Sequence, residues 1–127
     1  MAFLELRDLR YSYGKTEVLH GVSCLFELGG VYAVIGKSGS GKTTLLSLLA
    51  GLDAPASGDI LFEGESIGKK DLLTYRREKV SVVYQNFRLF PLMTALENVM
   101  YPLELRGVKP KEAAQRGAAY MESVGLD

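Results

Sequence analysis

A chain of 127 residues is long enough for one small domain with its own core and too short for two. Fifteen basic and fifteen acidic side chains cancel, so no global field draws it to nucleic acid or to an anionic membrane surface. The single cysteine, Cys24, excludes an internal disulfide and a thiolate metal cluster, and no apolar run approaches the roughly 20 residues that cross a bilayer.

The opening MAFLELRD carries charges where a signal peptide would be apolar, which predicts a cytoplasmic location. Residues 3–13 alternate, with Leu4 and Leu6, then Leu9, Tyr11 and Tyr13, and the phase slips by one near Asp8; this predicts a strand with a bulge. Gly14 and Lys15 turn the chain, and residues 18–28 alternate again with Val22, Cys24, Phe26 and Leu28 on one face, which makes Cys24 a small buried hydrophobe. Gly29 and Gly30 have the spacing of a tight hairpin into residues 31–35, so the first third reads as an antiparallel sheet. His20, the only histidine, stands beside a turn and reads as a surface residue.

Residues 31–49, VYAVIGKSGSGKTTLLSLL, organise the rest: an apolar strand, then Gly36, Lys37, Ser38, Gly39, Ser40, Gly41, Lys42 and Thr43, then a leucine-rich helix. Strand, phosphate loop and helix in that order place a ring of backbone N–H groups at the positive end of a helix, where phosphate oxygens are held most cheaply. Lys42 reaches the outer phosphates, and Thr43 offers a hydroxyl to the hard magnesium cation that bridges them. The competing reading is a glycine- and serine-rich surface turn, but the four fixed positions recur by accident only about once in a hundred chains of this length, and an accident has no reason to join a strand to a helix.

Leu45, Leu46, Leu48, Leu49 and Leu52 give that helix one broad apolar face, and Gly51 stops it. A turn at PASG precedes a short strand over residues 59–63, a loop over 64–68 and a helix over 71–78; residues 80–84 read as a second buried strand. Residues 85–93 have neither period and form a loop with many apolar side chains: Phe87, Leu89, Phe90, Leu92 and Met93. Thr94 to Glu97 is a capping box opening a helix that Pro102 must kink or end early, and Pro110 opens another running through Ala113, Gly117, Met121 and Val124.

Together these pieces resemble the ATPase subunit of an ABC transporter over the whole chain: the Tyr13 region, the phosphate loop, SGDILFEG, the run ending at Gln85 and LFPLMTALENV follow the family's order. Within it, RREKVSVVYQNFRLFPLMTALENVMYPL looks most like bacterial exporters of lipoproteins, macrolides or peptides. The resemblance implies an α/β P-loop NTPase of ABC type: an antiparallel β subdomain over 1–30, an incomplete RecA-like core over 31–93, and the start of a helical subdomain over 94–127. It implies ATP and magnesium as ligands, with Tyr13 stacking on the adenine and Gly36, Lys37, Ser38, Gly39, Ser40, Gly41, Lys42, Thr43 and Thr44 holding the phosphates. Lys42 and Gln85 would be catalytic, with Thr43 and Gln85 at the magnesium; the alternative for Tyr13 is a core residue like Tyr11. Gln85 would end a buried strand, where open α/β sheets bind ligands, and the apolar loop behind it would dock a transmembrane permease subunit. The implied protein is cytoplasmic, peripheral to the membrane through that permease, and pairs with a second ATPase copy.

Several family features are missing: a strand ending in paired Asp and Glu, a Leu-Ser-Gly-Gly-Gln signature and a later histidine, while Gly30 stands where the family usually has glutamate. An N-terminal portion of a longer ATPase, inactive alone, is therefore expected. In it residues 31–35 and 80–84 would pair with each other or bury against another copy. Two other classes stay open at this stage, a GTPase or small-molecule kinase on the same loop and an ABC ATPase that works without a membrane partner.

Overall fold

Strand β1 (Leu4–Tyr13) lies inside the one sheet of the described residues, with β2 (Thr16–Phe26) on one side and β3 (Ser57–Phe62) on the other, both antiparallel to it; β4 (Glu65–Ser66) extends β3. This is a computed structural model; it describes residues 2–126, and its chain divides into two units, Met1–Val82 and Val83–Asp127.

The expected bulge is present. Pairing jumps from Leu6↔Cys24 to Leu9↔Val22, Asp8 adopts φ 45°, and its N–H donates to the Ser23 hydroxyl at 2.9 Å. The extra residue lets Leu6 and Leu9, three apart, both face the core. The turn from β3 to β4 takes positive φ at Glu63 and Gly64, the two-residue geometry that matches strand twist, so the predicted loop over 64–68 is instead a short strand followed by a 3-10 turn, Ile67–Lys69.

Helix α1 (Lys42–Leu49) buries Leu45 and Leu48 against Leu6, Leu9, Leu19, Ile60 and Phe62. It ends as predicted at Gly51, φ 73°, whose N–H donates to the Leu48 carbonyl while the N–H of Leu52 reaches the Ser47 carbonyl. Helix α2 (Leu72–Glu78) starts on Asp71, whose carboxylate accepts from the Leu73 N–H and the Thr74 hydroxyl. It returns to α1 through the Tyr75 hydroxyl, donating to the Leu49 carbonyl at 2.6 Å, and Arg76, donating to that of Gly51 at 2.8 Å. These bonds satisfy carbonyls that the end of α1 leaves open.

Four expectations are corrected. Residues 31–35 form no strand and no hairpin with β2: the N–H of Glu27 is taken by the Tyr32 hydroxyl at 3.0 Å, and the Tyr32 ring folds back onto Phe26 at 4.8 Å. Residues 80–84 form no strand either, so the direct pairing of the two runs does not occur; Val31 is 99% and Val83 98% exposed. Cys24 is exposed, because β2 is the outer strand of the sheet and nothing closes over that position. The broad apolar face of α1 is only half used, with Leu46 and Leu52 exposed and an apolar hollow of about 340 Å³ left between Leu46, Leu49, Phe3, Phe26 and Tyr32.

In the second unit α3 (Ala95–Leu105) opens on the predicted capping box: Thr94 Oγ1 accepts from the Glu97 N–H and Glu97 from that of Thr94. The helix runs through Pro102 to Leu105 rather than stopping there, since proline removes a single bond of the ladder. Helix α4 (Pro110–Ser123) packs on it where Gly117 admits close approach; a Cβ there would lie 3.2 Å from Leu96 Cδ1. Thr94→Ala is expected to destabilise α3 by about 1 kcal/mol. Urea unfolding followed by helical circular dichroism measures it, and an unchanged midpoint would mean the cap is redundant.

Candidate functional site

The phosphate loop is built on the first turn of α1. Gly41 is its N-cap at φ 93°, and a Cβ there would come within 2.9 Å of Val18 Cγ1 and 3.0 Å of Leu19 Cδ2, so only glycine lets β2 support the loop from beneath. Gly39 also takes a positive φ, 79°, and the Ser40 N–H closes a turn onto the Lys37 carbonyl at 3.1 Å. No side chain caps α1 and no acidic residue sits in its first turn. Its leading N–H groups therefore face outward with the positive end of the helix dipole, a donor set suited to an anion.

Lys42 is the first residue of α1, and its ammonium folds back into the loop. It donates to the carbonyl of Gly36, to that of Lys37 at 2.7 Å and to the Ser40 hydroxyl at 3.4 Å. A positive charge is thus held among the backbone groups that would meet phosphate oxygens. Gly36, Lys37, Ser38 and Gly39 are exposed, as is Thr43, whose hydroxyl offers one oxygen to a hard cation. No cluster of three or more His, Cys, Asp or Glu side chains able to hold a metal occurs among the described residues, so most ligands of a magnesium there would come from bound phosphate and water.

Tyr13 ends β1 and is 59% exposed, unlike Tyr11, which packs against the core. Thr44 is buried, and its hydroxyl lies 3.2 Å from that of Tyr13. Tyr13, residues 36–41, Lys42, Thr43 and Thr44 all belong to the first unit. Gln85 belongs to the second, in an irregular exposed stretch.

Two residues that matter here have no signature in the sequence. Asp53 accepts the Tyr11 hydroxyl and the N–H of Ala54. Those bonds hold its carboxyl below the usual carboxylate range, while the bond to Asp53, with burial second, pushes the Tyr11 phenol up to about 12. Asn98, on α3, clasps the apolar loop: its Oδ1 accepts the Phe90 N–H at 2.7 Å, and its Nδ2 donates to the carbonyls of Phe90, Met93 and Thr94. With Phe90 meeting the Tyr101 ring edge-on, this leaves Phe87, Leu89 and Leu92 exposed, Leu92 at 99%.

The sequence matches the family described as ABC transporter over residues 19–127. A protein of Bacillus subtilis (strain 168) named uncharacterized ABC transporter ATP-binding protein YclH is 38% identical over 129 aligned residues, covering 100% of this chain and 57% of its own length. The methionine import ATP-binding protein MetN of Staphylococcus saprophyticus is 41% identical, across 97% of this chain and 38% of its own. Among solved structures, the dimeric MJ0796, described as a bacterial ABC transporter cassette, superimposes with a TM-score of 0.87 at 30% identity over 98% of this chain and 58% of that one. A post-hydrolysis state of the same cassette, bound to ADP and Pi, gives 0.85.

Proposed function

The chain belongs to the ABC transporter family, and we propose that it is the part of a transport ATPase that holds the phosphates and base of ATP, in a protein that couples ATP hydrolysis to transport across a membrane. Its fold is a partial P-loop ABC fold. The observation that carries the reading is the Lys42 ammonium nested in a glycine loop at the uncapped, acid-free N-terminus of α1. Bound ATP supplies a phosphoanhydride whose cleavage releases the free energy, and magnesium neutralises its charge. The loop N–H groups and Lys42 bind the phosphates, Thr43 offers the cation a hydroxyl, Tyr13 presents a ring to the adenine, and Gln85 orients water or cation in the assembled ATPase. The 127 residues alone bind nucleotide without hydrolysing it.

Calorimetric titration with ATP and magnesium tests this. Tyr13→Ala is expected to weaken ATP binding by about 1–3 kcal/mol for one lost stacking contact, and Tyr13→Phe, which keeps the ring, by much less. If the chain binds no ATP the proposal fails, and if Tyr11→Ala hurts and Tyr13→Ala does not, the base has been given the wrong platform.

The partner side of the proposal is a transmembrane permease whose helix docks on Phe87, Leu89 and Leu92, together with a second ATPase copy, so that the protein sits at the membrane through its partner; no helix among the described residues is long and apolar enough to span one itself. The Asn98 clasp supports this, since it holds an apolar loop outward instead of letting it collapse. Leu92→Asp is expected to leave ATP binding intact and to abolish co-purification with a membrane subunit. Continued co-purification would favour an ABC ATPase that works without such a partner.

A further inference from the structure

We propose that Tyr11 and Asp53 are positioning residues that fix the ring of Tyr13 at a set distance from the phosphate loop, so that the site selects an aromatic base joined to a polyphosphate over the polyphosphate alone. This rests on the reading of Tyr13 as the base platform. An exposed aromatic at the end of a strand, next to a turn at Gly14 and Lys15, has free side-chain torsions to lose on binding. Here those torsions are already constrained from two sides. At its tip, the Tyr13 hydroxyl lies 3.2 Å from the hydroxyl of Thr44, in the first turn of α1. Along its side, the ring meets that of Tyr11 at 5.0 Å and 75°, an edge contact, and Tyr11 is in turn tied by its hydroxyl to Asp53. Asp53 does not move freely, because its other oxygen accepts the neighbouring Ala54 N–H at 2.8 Å.

Both anchors are tied to the two ends of the same helix, Thr44 from within it and Asp53 from the turn that follows it. Thr44 is in its first turn and Asp53 lies just past Gly51, the glycine that closes the helix end, so the ring is referenced to the element that carries Lys42. The Tyr11 phenol, pushed up to about 12, stays a neutral donor to Asp53 throughout the physiological range. A ring ordered in advance gives up less freedom when a base stacks on it, a saving of about three- to tenfold in affinity for one side chain. Free polyphosphate never touches the ring and draws no benefit.

The experiment compares ATP with inorganic tripolyphosphate by calorimetry on the chain and its Tyr11→Phe, Asp53→Ala, Asp53→Asn and Tyr13→Ala variants. Tyr11→Phe and Asp53→Ala are expected to weaken ATP about three- to tenfold with tripolyphosphate unchanged, the variant that combines Tyr11→Phe with Asp53→Ala to be no worse than either single one, and Asp53→Asn, which keeps an acceptor oxygen, to retain most of the parent affinity. Equal weakening of both ligands would make the pair merely structural and overturn the inference. If Tyr13→Ala alone loses the preference for ATP, the positioning role fails while the base platform stands. If Tyr13→Ala also keeps the preference, the platform itself fails and the inference goes with it.

Discussion

Replacing Lys42 by alanine is expected to weaken ATP binding by about 1.5–3 kcal/mol, on the order of tenfold to a hundredfold, and to abolish hydrolysis in an assembled ATPase that contains this chain. The size follows from the type of contact. Lys42 supplies an ammonium inside the loop, donating to the carbonyl of Lys37 at 2.7 Å and to that of Gly36, so the charge is desolvated in part and aimed before any ligand arrives. A hydrogen bond to a phosphate oxygen from such a group is stronger than one between neutral partners. Alanine keeps the helix, being the best helix former at a first-turn position, so the loss reads as function rather than unfolding. Lys42→Arg keeps the charge, but its planar guanidinium does not reproduce a compact ammonium held by those oxygens, and most of the loss remains. Calorimetry with circular dichroism as the folding control measures both variants. An alanine variant that binds ATP like the parent chain would remove Lys42 from the site.

What the sequence made legible is what local chemistry decides. The phase slip at Asp8, the capping box at Thr94 and the glycine that closes α1 are each specified by residues within a few positions of one another, and each is present. The phosphate loop belongs to the same class, since its glycines and Lys42 act within eight residues, 36–43. The apolar runs 31–35 and 80–84 were misread as strands because a strand exists only through a neighbour. Five apolar residues favour burial, yet no strand among the described residues pairs with either run, and side chains such as Ile35 lie open. Cys24 failed for a related reason: alternation gives the face a residue is on, not whether anything covers that face. The bond between Tyr11 and Asp53 joins residues 42 positions apart and leaves no periodic trace at all.

Gly58→Ala is expected to destabilise the first unit by about 3 kcal/mol or more, a large share of the roughly 5–15 kcal/mol that holds a typical domain together. Gly58 stands across from the β1 bulge at φ 84°, a conformation that costs a residue with a side chain about 1–2 kcal/mol by itself. The steric contribution is then added to it. A Cβ at this position would lie 2.2 Å from the carbonyl oxygen of Asp8 and 2.5 Å from that of Arg7, and these are backbone atoms that no rotamer change can move aside. Relief requires β3 to separate from β1, which breaks the pairing on one side of the bulge and loosens the end of β1 that carries Tyr13. Gly14→Ala supplies the comparison: φ there is also positive, 58°, but nothing lies within 4 Å of the added carbon, so only the conformational cost of about 1–2 kcal/mol applies. Urea denaturation of the two variants separates the contributions. Equal midpoints would mean that β1 and β3 can open at no cost.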